Sequence, residues 1–289
     1  MRGFVSLDAT GGRGHNLRMP RIRTEGASIS WRRTGSGPAV LLIQGVGVVG
    51  HGWRPQIDAL ADRFTLLDID NRGIGDSTLE GGAVSVEAMA ADALAVLDAA
   101  NIERAHIVGH SMGGLIAQQA ALSAPNRTAS LTLMCTFLRG RQGATPTLGM
   151  LPTAIRSRVG TRRMRRHAFL ELILPPPALQ GLDREVIATR LAELFGHDLA
   201  DQAPVTMTQL RAMSRYDASA KLSALSAIPT LVLSGRHDRI ARPEYGRALA
   251  AAIPGARYFE FEDAGHALPI QCAPRVNAIL VEGFKRAVA

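Results

Sequence analysis

The sequence predicts an α/β fold in which a mainly parallel sheet is interrupted by a helical insertion. Three observations carry this. Short, continuously apolar runs alternate with helix-length stretches over residues 39–136. The alternation stops over 137–228, where helix-like stretches are broken by Pro152, Pro175-Pro176-Pro177 and Pro204 and no buried-strand run occurs. It then resumes over 229–289. Regular alternation on both sides of a helical block implies one sheet split by an insertion.

The elements follow in order. Residues 1–20 are rich in Gly and Arg without a period and read as an N-terminal tail, and Met19-Pro20 is a candidate for the true start. Ile22–Arg33 alternates like a strand pair and ends in the turn-rich Thr34–Pro38. Ala39–Ile43 is a short apolar run, as expected of a strand covered on both faces. Trp53–Asp62 has helical spacing with Pro55 in its first turn. Phe64–Ile69 reads as a second buried strand, and Ser85 as the N-cap of an amphipathic helix reaching Ala100. Ala105–Val108 and Ser130–Cys135 are further strands flanking a helix over Leu115–Ser123. Within the insertion, helices are expected over 161–173, 184–195 and 206–215. Thr230–Ser234, Ala241–Ala252, Tyr258–Phe261 and Pro274–Val288 restore the strand–helix order.

Composition narrows the function classes. At 46% hydrophobic and 20% charged residues, the 289-residue chain can bury a full core, so dominant disorder is excluded. Cys135 and Cys272 are too few for a disulfide framework or a cysteine zinc site. No apolar run reaches the length of a membrane span, and the first twenty residues do not read as a secretory signal. A soluble, cytoplasmic protein is expected. The net charge of +8 is unevenly placed, +5 over 1–38, −5 over 39–136 and +6 over 137–228. Most of the excess therefore lies in the tail and the insertion. The cluster Arg156, Arg158, Arg162, Arg163, Arg165 and Arg166 reads as a solvated face, or as steering for anionic substrates. Nucleic-acid binding is disfavoured because aromatics make up only 4% of the chain.

The strongest motif is Gly109-His110-Ser111-Met112-Gly113, followed by Gly114, between a strand and a helix. A sharp strand-to-helix turn strains its central residue and lifts the serine hydroxyl clear of the sheet edge. The helix N-terminus behind it favours an oxyanion. A nucleophilic serine needs a base, and the base needs an orienting carboxylate. Asp238 follows the strand Thr230–Ser234, and His266 follows Tyr258–Phe261. Ends of parallel strands on one sheet edge are where ligands gather, which brings Ser111, Asp238 and His266 together. Asp263 is a substitute acid, though it reads better as a loop group. The turn Gln44-Gly45-Val46-Gly47 after the first buried strand can aim the Val46 amide, with that of Met112, at a developing oxyanion. No histidine pair has ligand spacing beside carboxylates, so neither a metal nor any cofactor is expected.

A rival reading lies in the same turn. Gly45-Val46-Gly47-Val48-Val49-Gly50 is a literal G-x-G-x-x-G after a strand, and Asp70 lies twenty residues beyond Gly50. This outlines a dinucleotide fingerprint and hence an NAD(P)-binding oxidoreductase. His51-Gly52 and Pro55 delay the helix that such a loop should open, and Asp70 begins the tight run Asp70–Ser77.

Taken together, Ile43–Gly47, Asp70–Ser77, the Gly109–Gly114 turn, Gly235–Asp238 and Gly265-His266 resemble the α/β-hydrolase superfamily, of the serine esterase, lactonase and haloperoxidase-like type. The resemblance covers roughly residues 21–289. It implies an α/β-hydrolase fold, an eight-stranded mostly parallel sheet, with core segments 21–136 and 229–289 and a helical cap over 137–228 after the sixth strand. It also implies a serine hydrolase that cleaves a carboxylic ester or related acyl compound through an acyl-enzyme. Lactone hydrolysis, C–C bond hydrolysis and perhydrolysis could use the same residues, and a non-catalytic binding protein would share the fold. The implied partner is a small-molecule ester or lactone. One departure is Gln44-Gly45 where the family usually has His-Gly, which bears on pocket shape more than on the backbone oxyanion donors.

Overall fold

The computed structural model describes residues 19–145 and 147–287. The expected tail therefore lies, up to Arg18, outside the described residues. Among the described residues nine strands form one sheet: β1 (Arg21–Thr24), β2 (Ala27–Thr34), β3 (Ala39–Ile43), β4 (Thr65–Ile69), β5 (Thr78–Leu79), β6 (Ala105–His110), β7 (Thr128–Met134), β8 (Thr230–Gly235) and β9 (Arg257–Phe261). Their order is β1-β2-β4-β3-β6-β7-β8-β9, with β5 hydrogen-bonded to β2. Every pair from β4 to β9 along this order is parallel, whereas β1, β2 and β5 pair antiparallel. The main path thus has the expected eight strands, and β5 is a two-residue addition too short to leave a sequence signal.

Burial follows the sequence pattern. Every residue of β3 and β4 is buried, as strands covered on both faces must be. The helix Val86–Ala99 starts where Ser85 Oγ accepts the Ala88 amide at 3.0 Å, satisfying one of the free N–H groups of its first turn. It packs against the helix Met112–Ser123, which begins three residues earlier than its apolar spacing suggests, directly after Ser111. The helix Arg54–Leu60, entered through a 3₁₀ turn at Gly50–Trp53, packs against the C-terminal helix Ala273–Arg286.

Between β7 and β8 the chain is helical, with its longest helices at Arg162–Ile173, Arg184–Phe195 and Thr206–Arg215. The first and second are capped by Thr161 and Asp183, and the second ends at Gly196 in the left-handed conformation. Leu170, Leu174, Leu191, Leu194 and Phe195 form a small core of their own, separate from the large one around the sheet. The arginine cluster is largely neutralised: Arg162 and Arg166 meet Asp198, Arg166 also meets Glu185, and Arg156 meets Glu171. Arg158 makes no ion pair among the described residues. No helix among them is long and apolar enough to cross a membrane.

The strand order sets the position of the site. From β3 the chain steps to β4 on one side, while β6 lies against β3 on the other. The connections leaving β3 and β6 therefore diverge, opening a crevice at the carboxyl ends of these two strands. The Gly45–Gly47 turn and Ser111 stand there side by side.

Candidate active site

Ser111 occupies the turn between β6 and the following helix at φ 56° and ψ −122°, a strained conformation for a non-glycine residue. The surroundings enforce it. Its N–H donates to the Met134 carbonyl at 3.0 Å, and its carbonyl accepts from Thr136 Oγ1 at 2.7 Å and from the Gly114 amide at 2.9 Å. A side chain at Gly109 would collide with the Gly113 carbonyl, and one at Gly113 with the Ile43 carbonyl. These two close approaches explain why glycine flanks the serine at that spacing.

Three strand ends bring the expected residues together. Ser111 Oγ lies 3.1 Å from His266 Nε2, and His266 Nδ1 lies 2.8 Å from Asp238 Oδ2. A hydroxyl facing Nε2 and a carboxylate facing Nδ1 fix the tautomer: Nδ1–H donates to Asp238, and Nε2 accepts from the serine. The other Asp238 oxygen takes the amides of Ile240 and Ala241, both at 2.8 Å. Burial pushes the Asp238 carboxyl up, but the pairing with His266 and these hydrogen bonds outweigh it and hold the group below its ordinary value. Asp238 thus stays a carboxylate. Asp263 points elsewhere and pairs with Arg275.

The amide of Met112 opens the helix behind Ser111, and Val46 lies in the turn after β3. Among the described residues neither amide has a hydrogen-bond partner, whereas those of Gly45 and Gly47 are taken by Gln44 Oε1 and Gln209 Oε1. Gln44 is buried, and its side chain folds back on its own turn. These groups open onto a cavity of about 240 Å³ lined by Ser111, His266 and Val46 below and by Phe169, Leu172, Phe195 and Met213 of the helical segment. Met150 and Arg158 also reach it. Leu170, Leu174 and Leu194 instead fill the separate core, and Leu151 is exposed.

Two residues outside the expected site, His110 and Cys135, lie against it. His110 donates to the His266 carbonyl at 2.8 Å and packs edge-on to Trp53. Burial and the neighbouring His266 push His110 down to about 3, so it remains neutral. Cys135 is buried at φ 47° beside them, and burial together with the Asp238 charge pushes its thiol up. His110, Cys135 and His266 place donor atoms within 4.8 Å of one another, a grouping of possible metal ligands that sequence spacing did not indicate. Their donors are committed elsewhere: both His266 nitrogens to Asp238 and Ser111, His110 Nε2 to a carbonyl, and the Cys135 thiol to its protonated form.

The dinucleotide outline dissolves in the structure. Asp70 Oδ1 accepts the Gly50 amide at 2.7 Å and Oδ2 the Asp76 amide at 3.1 Å, while Arg32 reaches it at 3.3 Å. The acid that would bind a ribose is buried and ties the Gly50 turn and β2 to its own loop.

Comparison with known proteins agrees with this architecture. A family model described as the alpha/beta hydrolase fold matches residues 38–271. A protein of Azorhizobium caulinodans that carries the name carbamate hydrolase RutD is 30% identical over 92% of this chain and 98% of its own. The enol-lactonase from Burkholderia xenovorans LB400 superposes with a TM-score of 0.77 at 28% identity, covering 92% of this chain and all of that one. A thermophilic esterase from Thermogutta terrifontis superposes with a TM-score of 0.75 at 25% identity, covering 93% and 99%. From strand order, turn geometry and this match over most of its length, the chain belongs to the α/β-hydrolase family.

Proposed function

We propose that the chain is a serine hydrolase that cleaves a carboxylic ester or related acyl compound through an acyl-enzyme. The observation that carries this is the unbroken hydrogen-bonded line Ser111–His266–Asp238, closed beside two free amides at the floor of an apolar cavity. Ser111 Oγ attacks the substrate carbonyl carbon as His266 Nε2 takes its proton. Asp238 holds the imidazole in register and stabilises its charged form. The Val46 and Met112 amides receive the oxyanion, each such donor being worth ~10²–10³ in turnover. As the tetrahedral species collapses, His266 returns the proton to the leaving alcohol. It then takes a proton from water as the water oxygen attacks the acyl carbon, and gives that proton to Ser111 Oγ as the acyl–oxygen bond breaks and the acid departs.

The cavity suits a small apolar acyl or alcohol group, and no cofactor enters any step. The two cysteines are buried and unbridged, which suits a cytoplasmic location. Lactone opening is the second reading, favoured by the likeness to an enol-lactonase; it uses the same steps with the leaving alcohol still tethered to the acyl group. A panel of short aryl esters, lactones and aryl carbamates, with product analysis, tests the proposal. Ester hydrolysis with an acyl adduct on Ser111 is expected. Turnover of none of the panel, or turnover with no adduct on Ser111 after acid quench, would overturn it.

A further inference from the structure

The peptide that carries the Val46 N–H is flanked by anchors from two different parts of the molecule. On its upstream side the anchors belong to the sheet. Gln44 Oε1 accepts the Gly45 amide at 3.3 Å, and Asn71 Nδ2 donates to the Gln44 carbonyl at 2.9 Å. On its downstream side they belong to the helical segment. Gln209 Oε1 accepts the Gly47 amide at 3.0 Å, and His197 Nε2 faces the Gly47 carbonyl at 3.0 Å. The Val49 amide reaches the Phe195 carbonyl at 3.4 Å. Both backbone groups of Gly47 are thus gripped from residues 150 or more positions away in sequence.

Gln209 is fully buried and uses both ends of its amide. Its Nε2 donates to the Arg72 carbonyl at 3.3 Å. Arg72 is itself immobilised by a two-point ion pair with Asp92 and by the Ala83 carbonyl at 2.9 Å. The glutamine therefore spans two loops at the sheet edge, braced against a rigid post. An oxyanion donor acts only if it is already aimed when charge develops, and a turn held on one side alone can rotate its middle peptide.

We propose that Gln209 and His197 are positioning residues for the Val46 amide, so that the oxyanion site is complete only when the helical segment is seated on the sheet. The inference rests on the serine-hydrolase reading above. It makes the segment between β7 and β8 part of the catalytic apparatus as well as a cover: a movement that admitted substrate would release Gly47, and return of the segment would re-aim the amide.

The test compares Gln209→Met, which keeps side-chain length, with Gln209→Glu, which keeps an acceptor for the Gly47 amide. His197→Leu and His197→Gln form a second pair at a half-buried site. Each is measured for kcat and KM on an uncharged aryl ester. Each is also measured for inhibition by a trifluoromethyl ketone, which forms an oxyanion with the serine, and by the matching methyl ketone, which does not. For Gln209→Met and His197→Leu, kcat should fall about 10- to 100-fold, short of outright loss of a donor. KM should stay within about threefold, and the preference for the trifluoromethyl ketone should fall in step with kcat. Gln209→Glu and His197→Gln should recover most of the loss. If kcat and the ketone preference stay within twofold of wild type, or if both ketones weaken equally, the proposal is wrong. Should Gln209→Met fail to fold, the His197 pair decides by the same criteria. Phosphonate labelling of Ser111 in the same variants separates the outcomes, since an intact label with unchanged ketone preference overturns only the positioning role. Absence of the label from wild type would overturn the serine-hydrolase reading beneath it.

Discussion

His110 donates through Nε2 to the backbone carbonyl of His266 at 2.8 Å, so the residue preceding the serine in the turn fixes the backbone of the imidazole that faces that serine. The contact joins the ends of β6 and the loop after β9 without involving any reacting atom. With His110 held down to about 3 by burial, the ring is neutral near pH 7 and acts as a fixed donor. His110→Phe should lower kcat about tenfold while leaving the pH midpoint of the acid limb in place, because no charge is lost. A pH–rate profile of the variant checks this; a displaced limb would mean that His110 titrates with the base.

Asp238 lies at the other end of the same line, with one oxygen on His266 and the other on two amides. Asp238→Asn retains size but presents a group that can donate toward Nδ1, favouring the wrong imidazole tautomer. A fall in kcat of ~10⁴ is expected with KM little changed. Steady-state kinetics on an aryl ester measures it, and a loss below tenfold would assign the orienting role to another acid.

The buried imidazoles also predict a stability profile. His106 sits within β6, bonded to Ser130 Oγ at 2.8 Å and stacked on Phe284, and burial pushes it from 6.5 down to about 4. The unfolded chain binds this proton more readily than the folded one. The stabilisation is therefore fully present above pH 6.5 and is lost as pH falls through about 4. Within that window the slope is about 1.4 kcal/mol per pH unit for each such histidine. His106→Gln should flatten the profile by close to one proton in urea titrations between about pH 6 and 4.5, and an unchanged slope would contradict the assignment.

The Asp70 hub gives a prediction about folding rather than chemistry. Arg32 Nε donates to Asp68 Oδ1 at 2.6 Å and its Nη2 reaches Asp70, and both acids are almost wholly buried. Arg32→Met strands two carboxylates without their counter-charge. A loss of about 3–5 kcal/mol is expected in denaturant titrations. A loss under 1 kcal/mol would show that backbone amides alone suffice to hold the pair.

These residues also show which features a sequence can reveal. The strands, the serine turn and the Ser–Asp–His order were legible because each depends on local pattern: continuous apolar runs, glycines at fixed offsets, and acids or imidazoles just past strand ends. Asp70 was ambiguous because an acid twenty residues after a glycine loop looks the same whether it binds a ribose or a neighbouring amide. Leu170 and Leu194 pack into a second core, because the helical segment is large enough to need one of its own. Gln209, His197 and His110 left no signal, since their roles arise from contacts across more than 145 residues. The arginine cluster looked like free positive charge, and only the fold brings Asp198, Glu185 and Glu171 against it.

The central claim is that Ser111 is the nucleophile, and covalent labelling tests it most directly. The protein is incubated with a serine-directed fluorophosphonate, digested and mapped by mass spectrometry, alongside Ser111→Ala assayed on short aryl esters. The expected result is a single adduct on the peptide containing Ser111, absent from the variant, with hydrolysis reduced ~10⁴-fold or more. An adduct on another residue, or full activity in Ser111→Ala, would contradict it.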